Sequence, residues 1–145
     1  MTLSVLISAF LGTIAFSILY DIPKQYLVTC GIIGTLGWIV YSVLNYYVGL
    51  SASIFSATLA IALLSRYSAV KKKAPEIVFL ISGIFPLVPG AGIYWTAYYL
   101  VSGQMDAALS SGYGALKTCF AMVLGIIVIH ELPQWIFSGK KHKEV

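Results

Sequence analysis

The sequence Pro86-Leu87-Val88-Pro89-Gly90-Ala91-Gly92 interrupts an apolar run that extends from Ile77 to Val101. Proline has no backbone N–H and obstructs a regular helix, whereas glycine permits dihedral angles that other residues avoid. Two prolines and two glycines this close together therefore predict a break in any helix that the run forms. In a bilayer, backbone groups freed by a break must be satisfied by protein, water or ligand, so broken spans occur where they line a cavity. The stretch therefore favours a transport function.

The composition defines the class of protein. The 145-residue chain is 59% hydrophobic and 10% charged, with a mean hydropathy of +0.91, whereas a soluble domain carries about 25% charged residues. This indicates an integral membrane protein. Apolar segments use nearly the whole length, so we expect residues 1–145 to form a single transmembrane domain, with no room for a soluble catalytic domain.

Five apolar segments approach the roughly 17 to 25 residues that a membrane helix needs. They are Leu3–Leu19, Leu27–Leu44, Leu50–Leu64, Ile77–Val101 and Ala107–Leu132. The sequence thus predicts an all-α protein with five transmembrane helices, the fourth broken at its prolines. The alternative is that Ile77–Val101 forms a re-entrant hairpin, because each half is only about a dozen residues long.

The distribution of basic residues predicts the orientation. Two clusters stand out: Arg66, Lys71, Lys72 and Lys73, and the C-terminal Lys140, Lys141 and Lys143. Cytoplasmic loops are enriched in lysine and arginine, and both clusters lie on one side only if the fourth segment crosses. We therefore expect an external N-terminus and a cytoplasmic C-terminus. The polar segment from Arg66 to Pro75 is predicted to connect the third and fourth spans.

Other functional classes receive little support. The net charge of +4 resides at membrane flanks, which indicates contact with anionic membrane lipid and no nucleic-acid partner. Cys30 and Cys119 lie inside predicted spans without ligating neighbours, so we interpret them as packing residues and expect no metal and no cofactor. Motifs of nucleotide binding, metalloprotease or triad chemistry do not occur, so no enzymatic activity is predicted.

The break is the first candidate substrate-binding site. If the helix restarts near Gly90 or Ala91, its free N–H groups and positive dipole end lie close to the membrane midplane, where they suit a carboxylate. The candidate binding residues are Pro86, Pro89, Gly90, Ala91 and Gly92. The alternative is a proline kink that only shapes the bundle.

A lysine within the fifth segment is the second candidate. A charge at the centre of a span costs about 2.5–3.5 kcal/mol and usually faces protein or water, so an inward-facing Lys117 would suit a substrate carboxylate. Tyr94 and Tyr98 would add hydroxyls one helical turn apart. Alternatively, Lys117 snorkels outwards.

Small residues in the second segment predict close helix packing. Gly31, Gly34 and Gly37 recur every three residues and allow another helix to approach. Internal packing is the favoured interpretation, and contact within a homo-oligomer is the alternative.

Two stretches resemble a known family. The run from Ile84 to Tyr94 resembles the Pro-x-x-Pro-Gly motif, followed by tyrosine, of the threonine/serine exporter family in its C-terminal-half type. The run from Phe16 to Lys24, followed by Gly31 to Trp38, resembles that family's first turn and second span. The likeness extends over essentially the whole chain.

The resemblance implies a small subunit that acts with a larger exporter subunit of the N-terminal-half type. Members export small carboxylated metabolites, either threonine and serine or dicarboxylates such as succinate, across the plasma membrane, the inner membrane of the cell. Alternating access around the broken span, with coupling to a proton gradient, would be the mechanism.

The alternatives are an assembly subunit that binds no substrate and an intramembrane enzyme acting on lipid, for which the sequence offers no convergent catalytic residues.

Overall fold

The computed structural model describes residues 3–132, and all regular structure in this part of the chain is helical. The prediction of an all-α protein is therefore confirmed. The six helices are α1 (Leu3–Leu19), α2 (Lys24–Val48), α3 (Leu50–Lys72), α4 (Glu76–Ile84), α5 (Gly90–Val101) and α6 (Met105–His130), with a 3₁₀ turn at Phe85–Leu87 between α4 and α5.

Three of these helices, α2, α3 and α6, are long and apolar enough to cross a membrane by themselves. Helix α4 with its 3₁₀ turn and helix α5 reach that length only together, and they are bent by 55° relative to each other. Helix α1 is apolar but has only 17 residues. Length and composition thus give three membrane-span candidates, or four if the bent pair is one span.

Helices α2 and α3 form the centre of the bundle. Helix α2 packs against α1, α3 and α4, and α3 packs against α2, α4 and α6, whereas α5 packs against α6. The core between α2, α3 and α4 contains the fully buried side chains of Cys30, Ala57, Ile61 and Phe79. The thiol of Cys30 is therefore a packing group in this core, as the sequence indicated.

The glycines of α2 are sites of close helix approach. A Cβ atom at Gly31 would meet the Phe10 ring at 2.6 Å, one at Gly34 would collide with Thr13, and one at Gly37 would collide with Ile61. The glycine face therefore packs against α1 and α3 within the chain. The prediction of internal packing is confirmed.

The predicted polar link after the third segment is wrong in extent. Helix α3 continues through Lys72 and ends where Lys73 adopts a left-handed conformation, with φ at 52°. The reason is that Ser65 and Ala69 remain buried against the bundle, so packing extends the helix beyond the apolar run. Only the turn from Lys73 to Pro75 separates α3 from α4.

Arg66 is a structural anchor and not a loop charge. It is 8% exposed, and its Nη1 donates a hydrogen bond to the carbonyl of Ile129 in the last turn of α6. The carbonyl end of a helix carries partial negative charge, which favours a cation at this position. Arg66 therefore connects α3 to the end of α6. The other basic cluster, Lys140, Lys141 and Lys143, lies outside the described residues.

The contact between Gly34 and Thr13 predicts a matched pair of variants. Thr13 is fully buried and its hydroxyl donates to the Ala9 carbonyl at 2.7 Å, so it has little freedom to move aside. We expect Gly34→Ala to lower the free energy of unfolding by about 1–3 kcal/mol through overpacking. Gly12→Ala is the control, because nothing lies within 4 Å of its added Cβ.

Unfolding in mixed micelles titrated with a denaturing detergent measures both variants. Equal stability of Gly34→Ala and Gly12→Ala would contradict the close approach of α1 and α2.

Candidate functional site

The backbone at the break is satisfied by short local hydrogen bonds. The Phe85 N–H donates to the Ser82 carbonyl, and the Val88 N–H donates to the Phe85 carbonyl at 3.2 Å. The Gly90 N–H then donates to the Val88 carbonyl at 2.8 Å. These bonds replace part of the helical pattern that the two prolines interrupt, and they let the chain turn between α4 and α5.

Helix α5 begins directly after the break. Pro89 precedes its first residue, no side chain caps it, and its first regular bond runs from the Ile93 N–H to the Pro89 carbonyl at 3.1 Å. The positive end of the helix dipole is therefore at the break. Gly90 and Ala91, the first two residues of the helix, are exposed.

A cavity of about 340 Å³ lies beside the break. Its walls come from the break, α2, the start of α3 and the first half of α6. The lining residues are Pro86, Leu87, Val88, Pro89 and Gly92, with Trp38, Tyr41, Leu50 and Ile54, and Ser110, Ser111, Gly114, Ala115 and Thr118. Because Leu50 is the first residue of α3, the cavity extends towards the end of the bundle at which α2 meets α3.

The polar groups of the cavity are uncharged. The Nε1 atom of Trp38 is shielded from solvent and has no hydrogen-bond acceptor among the described residues. Ser111 is half-buried, and the buried Thr118 donates its hydroxyl proton to the Gly114 carbonyl at 3.0 Å. Among residues 3–132, no charged side chain lines this cavity. A buried donor without a partner costs about 1–3 kcal/mol, so an acceptor that reached the Trp38 Nε1 would be favoured.

Gly92 allows α5 to approach α6 at the edge of the cavity. A Cβ atom at Gly92 would lie 3.2 Å from the Cβ of Ala115 in α6, whereas one at Gly90 would meet nothing within 4 Å. The two glycines of the break thus differ in role: Gly92 is a packing site, and Gly90 is open.

A second cavity, of about 280 Å³, lies on the α1 side of the break. Trp38 and Pro86 line both cavities and therefore form the wall between them. On the α1 side, the rings of Phe16 and Phe85 stack and hold the 3₁₀ turn against α1.

The structure brings together three of the predicted binding residues, Pro86, Pro89 and Gly92, at the first cavity. The other five predicted residues are exposed and do not line this cavity; they are Gly90, Ala91, Tyr94, Tyr98 and Lys117. Tyr94 and Tyr98 instead contact the ring of Trp95.

The cavity residues that α2 and α6 contribute were not among those predicted from the sequence. Ser111, Ala115 and Thr118 are spaced by four and then three residues, which places them on one face of a helix. That spacing could have identified the cavity face of α6. No sequence pattern around Trp38 predicts that it lines the cavity, because this depends on which helix lies opposite it.

Comparison with known proteins gives the family. Residues 5–131 match the family described as "Threonine/Serine exporter, ThrE". No curated protein and no solved structure matches the chain. The match extends over most of the chain, including the break and the cavity, and its description is that of transporters and not of enzymes. The chain therefore belongs to the threonine/serine exporter (ThrE) family.

Proposed function

We propose that this chain is the small subunit of a two-component exporter that moves a small carboxylated metabolite across the plasma membrane, by secondary active transport with alternating access. The cavity beside the break is the proposed substrate site. The observation that carries the proposal is that Trp38, whose indole N–H is shielded from solvent and has no acceptor among residues 3–132, is one of the residues that line that cavity. A carboxylate oxygen would satisfy this N–H.

The chemistry of the cavity favours one of the two substrate classes. A dicarboxylate carries two negative charges, and burying an uncompensated charge is strongly unfavourable. Threonine and serine are zwitterions without net charge, and their hydroxyl groups can pair with Ser111 and Thr118. We therefore propose threonine or serine as the substrate, ahead of a dicarboxylate such as succinate.

The proposed topology has five spans, with α4 and α5 as one broken span. Its support is the distribution of basic residues: Lys24 and the Lys71–Lys73 cluster lie at the same end of the bundle. By the positive-inside rule the lysine end is cytoplasmic. The N-terminus is then external and the C-terminus cytoplasmic.

The larger subunit is proposed to cover α5. This helix has no buried residue, and Tyr94, Trp95 and Tyr98 are 46–61% exposed. In the complex, Tyr94, Tyr98 and Lys117 would then belong to a path between the subunits. The same exposed helix also supports the second candidate function, an assembly subunit that stabilises the partner without binding substrate.

Efflux of labelled threonine, serine and succinate tests the proposal, in cells that express this chain with and without the larger subunit. We expect threonine or serine efflux only from the pair. In that pair, Trp38→Phe keeps an aromatic ring but removes the N–H. A hydrogen bond to a charged group is worth about 1.5–3 kcal/mol, so the half-saturating substrate concentration should rise at least tenfold.

Tyr46→Phe is the control, because it also removes one polar group from an aromatic side chain of α2, and Tyr46 is exposed and does not line the cavity. Efflux of none of the three compounds would contradict the exporter proposal. Wild-type efflux by Trp38→Phe would instead favour the assembly subunit.

Cysteine labelling tests the topology. In a chain without Cys30 and Cys119, Gln104→Cys lies between α5 and α6, and Lys72→Cys lies at the end of α3. If α4 and α5 cross as one span, a membrane-impermeant maleimide should label residue 104 in intact cells and residue 72 only after permeabilisation. Labelling of both positions from the same side would show that the segment is re-entrant.

A further inference from the structure

Glu76 and His130 meet at the end of the bundle opposite the connection between α2 and α3. Glu76 begins α4 and His130 ends α6, and both helices pack on α3. The His130 Nε2 lies 3.9 Å from the Glu76 Oε1. That carboxyl oxygen is shielded from solvent and has no hydrogen-bond partner among residues 3–132.

The geometry of the imidazole determines where its protons lie. The Nδ1 of His130 is 3.2 Å from the Ile126 carbonyl. A carbonyl oxygen only accepts hydrogen bonds, so Nδ1 must carry a proton. In a neutral imidazole the other nitrogen is then an acceptor, and Nε2 would direct a lone pair at the Glu76 carboxylate. Attraction between the two side chains therefore needs one further proton, on Nε2 or on the carboxyl group.

We propose that Glu76 and His130 form a one-proton site that joins the start of α4 to the end of α6 when the proton is bound. With the proton bound, an imidazolium faces a carboxylate, or a neutral imidazole accepts from a carboxylic acid. Without it, a carboxylate faces a lone pair and the link is lost.

Other titratable groups lie at the same end of the bundle on the neighbouring elements. They are Asp21 after α1, Lys24 and Tyr26 in α2, Arg66, Lys71, Lys72 and Lys73 at the end of α3, and Glu131 after α6. Arg66 donates to the Ile129 carbonyl, which holds the residue before His130 in place. Lys72 lies over the Tyr26 ring, 5.8 Å from its centroid, and Glu131 is exposed.

The position of the site connects it to the break. Helix α4 has nine residues and therefore extends about 14 Å from Glu76 to the 3₁₀ turn that lines the cavity. A contact that forms or opens at Glu76 thus acts on one end of a short rigid helix whose other end borders the proposed substrate site. Only this consequence for transport rests on the proposed function.

Nitrogen-15 NMR of histidine-labelled protein in lipid nanodiscs tests the proton site directly. The full chain contains two histidines, His130 and His142, so His142→Gln identifies the His130 signals. We expect the neutral ring, at pH 8.5, to be protonated on Nδ1 and bare on Nε2. On acidification to pH 5.5, Nε2 should gain a proton, and the ¹³C signal of the Glu76 carboxyl should change in the same step.

In His130→Gln, the change of the Glu76 carboxyl signal that accompanies protonation of Nε2 should vanish. The carboxyl signal of the exposed Glu131 serves as the internal control. A neutral His130 protonated on Nε2, or an identical Glu76 titration in wild type and His130→Gln, would overturn the proposal. The tautomer is read on a chain that keeps both residues, so the test does not depend on how the variant folds. Neither readout involves efflux, so failure of the exporter proposal would leave this result unaffected.

Discussion

The loss of regular helical hydrogen bonds at Pro86 and Pro89 is the constraint on which the rest of this structure depends. Two prolines remove donors in the middle of an apolar segment, and the chain responds with a 3₁₀ turn whose bonds link Ser82, Phe85 and Val88. The turn ends α4, tilts α5 by 55° and leaves a cavity against α2 and α6. The proposed substrate site therefore follows from a backbone constraint, and side chains supply its specificity.

Close packing elsewhere holds the break in position. Small residues bring the helices together: Gly34 meets Thr13 of α1, and Gly92 meets Ala115 of α6. Without a hydrophobic force between helices in lipid, such contacts and interhelical polar bonds drive association. The Arg66 bond to α6 is one of those polar bonds, at the end of the bundle opposite the connection between α2 and α3.

Local patterns in the sequence predicted the helices well, and contacts between helices less well. Helix α1 has the predicted bounds, and the prolines identified the break, because hydropathy and missing N–H groups are local properties. The burial of Arg66 and the place of Trp38 in the cavity wall were not predictable in this way. Both depend on which helix lies opposite, as does the exposure of Lys117.

The most direct test of the central claim is substrate protection of a cysteine in the cavity. In the assembled exporter without Cys30 and Cys119, Ser111→Cys lies in the cavity wall, and Tyr113→Cys lies on the exposed face of α6. The rate of reaction with a small thiol reagent is measured with and without threonine. Threonine should slow labelling at residue 111 and leave residue 113 unchanged. Equal labelling at residue 111 in both conditions, in an exporter that still transports threonine, would contradict the account.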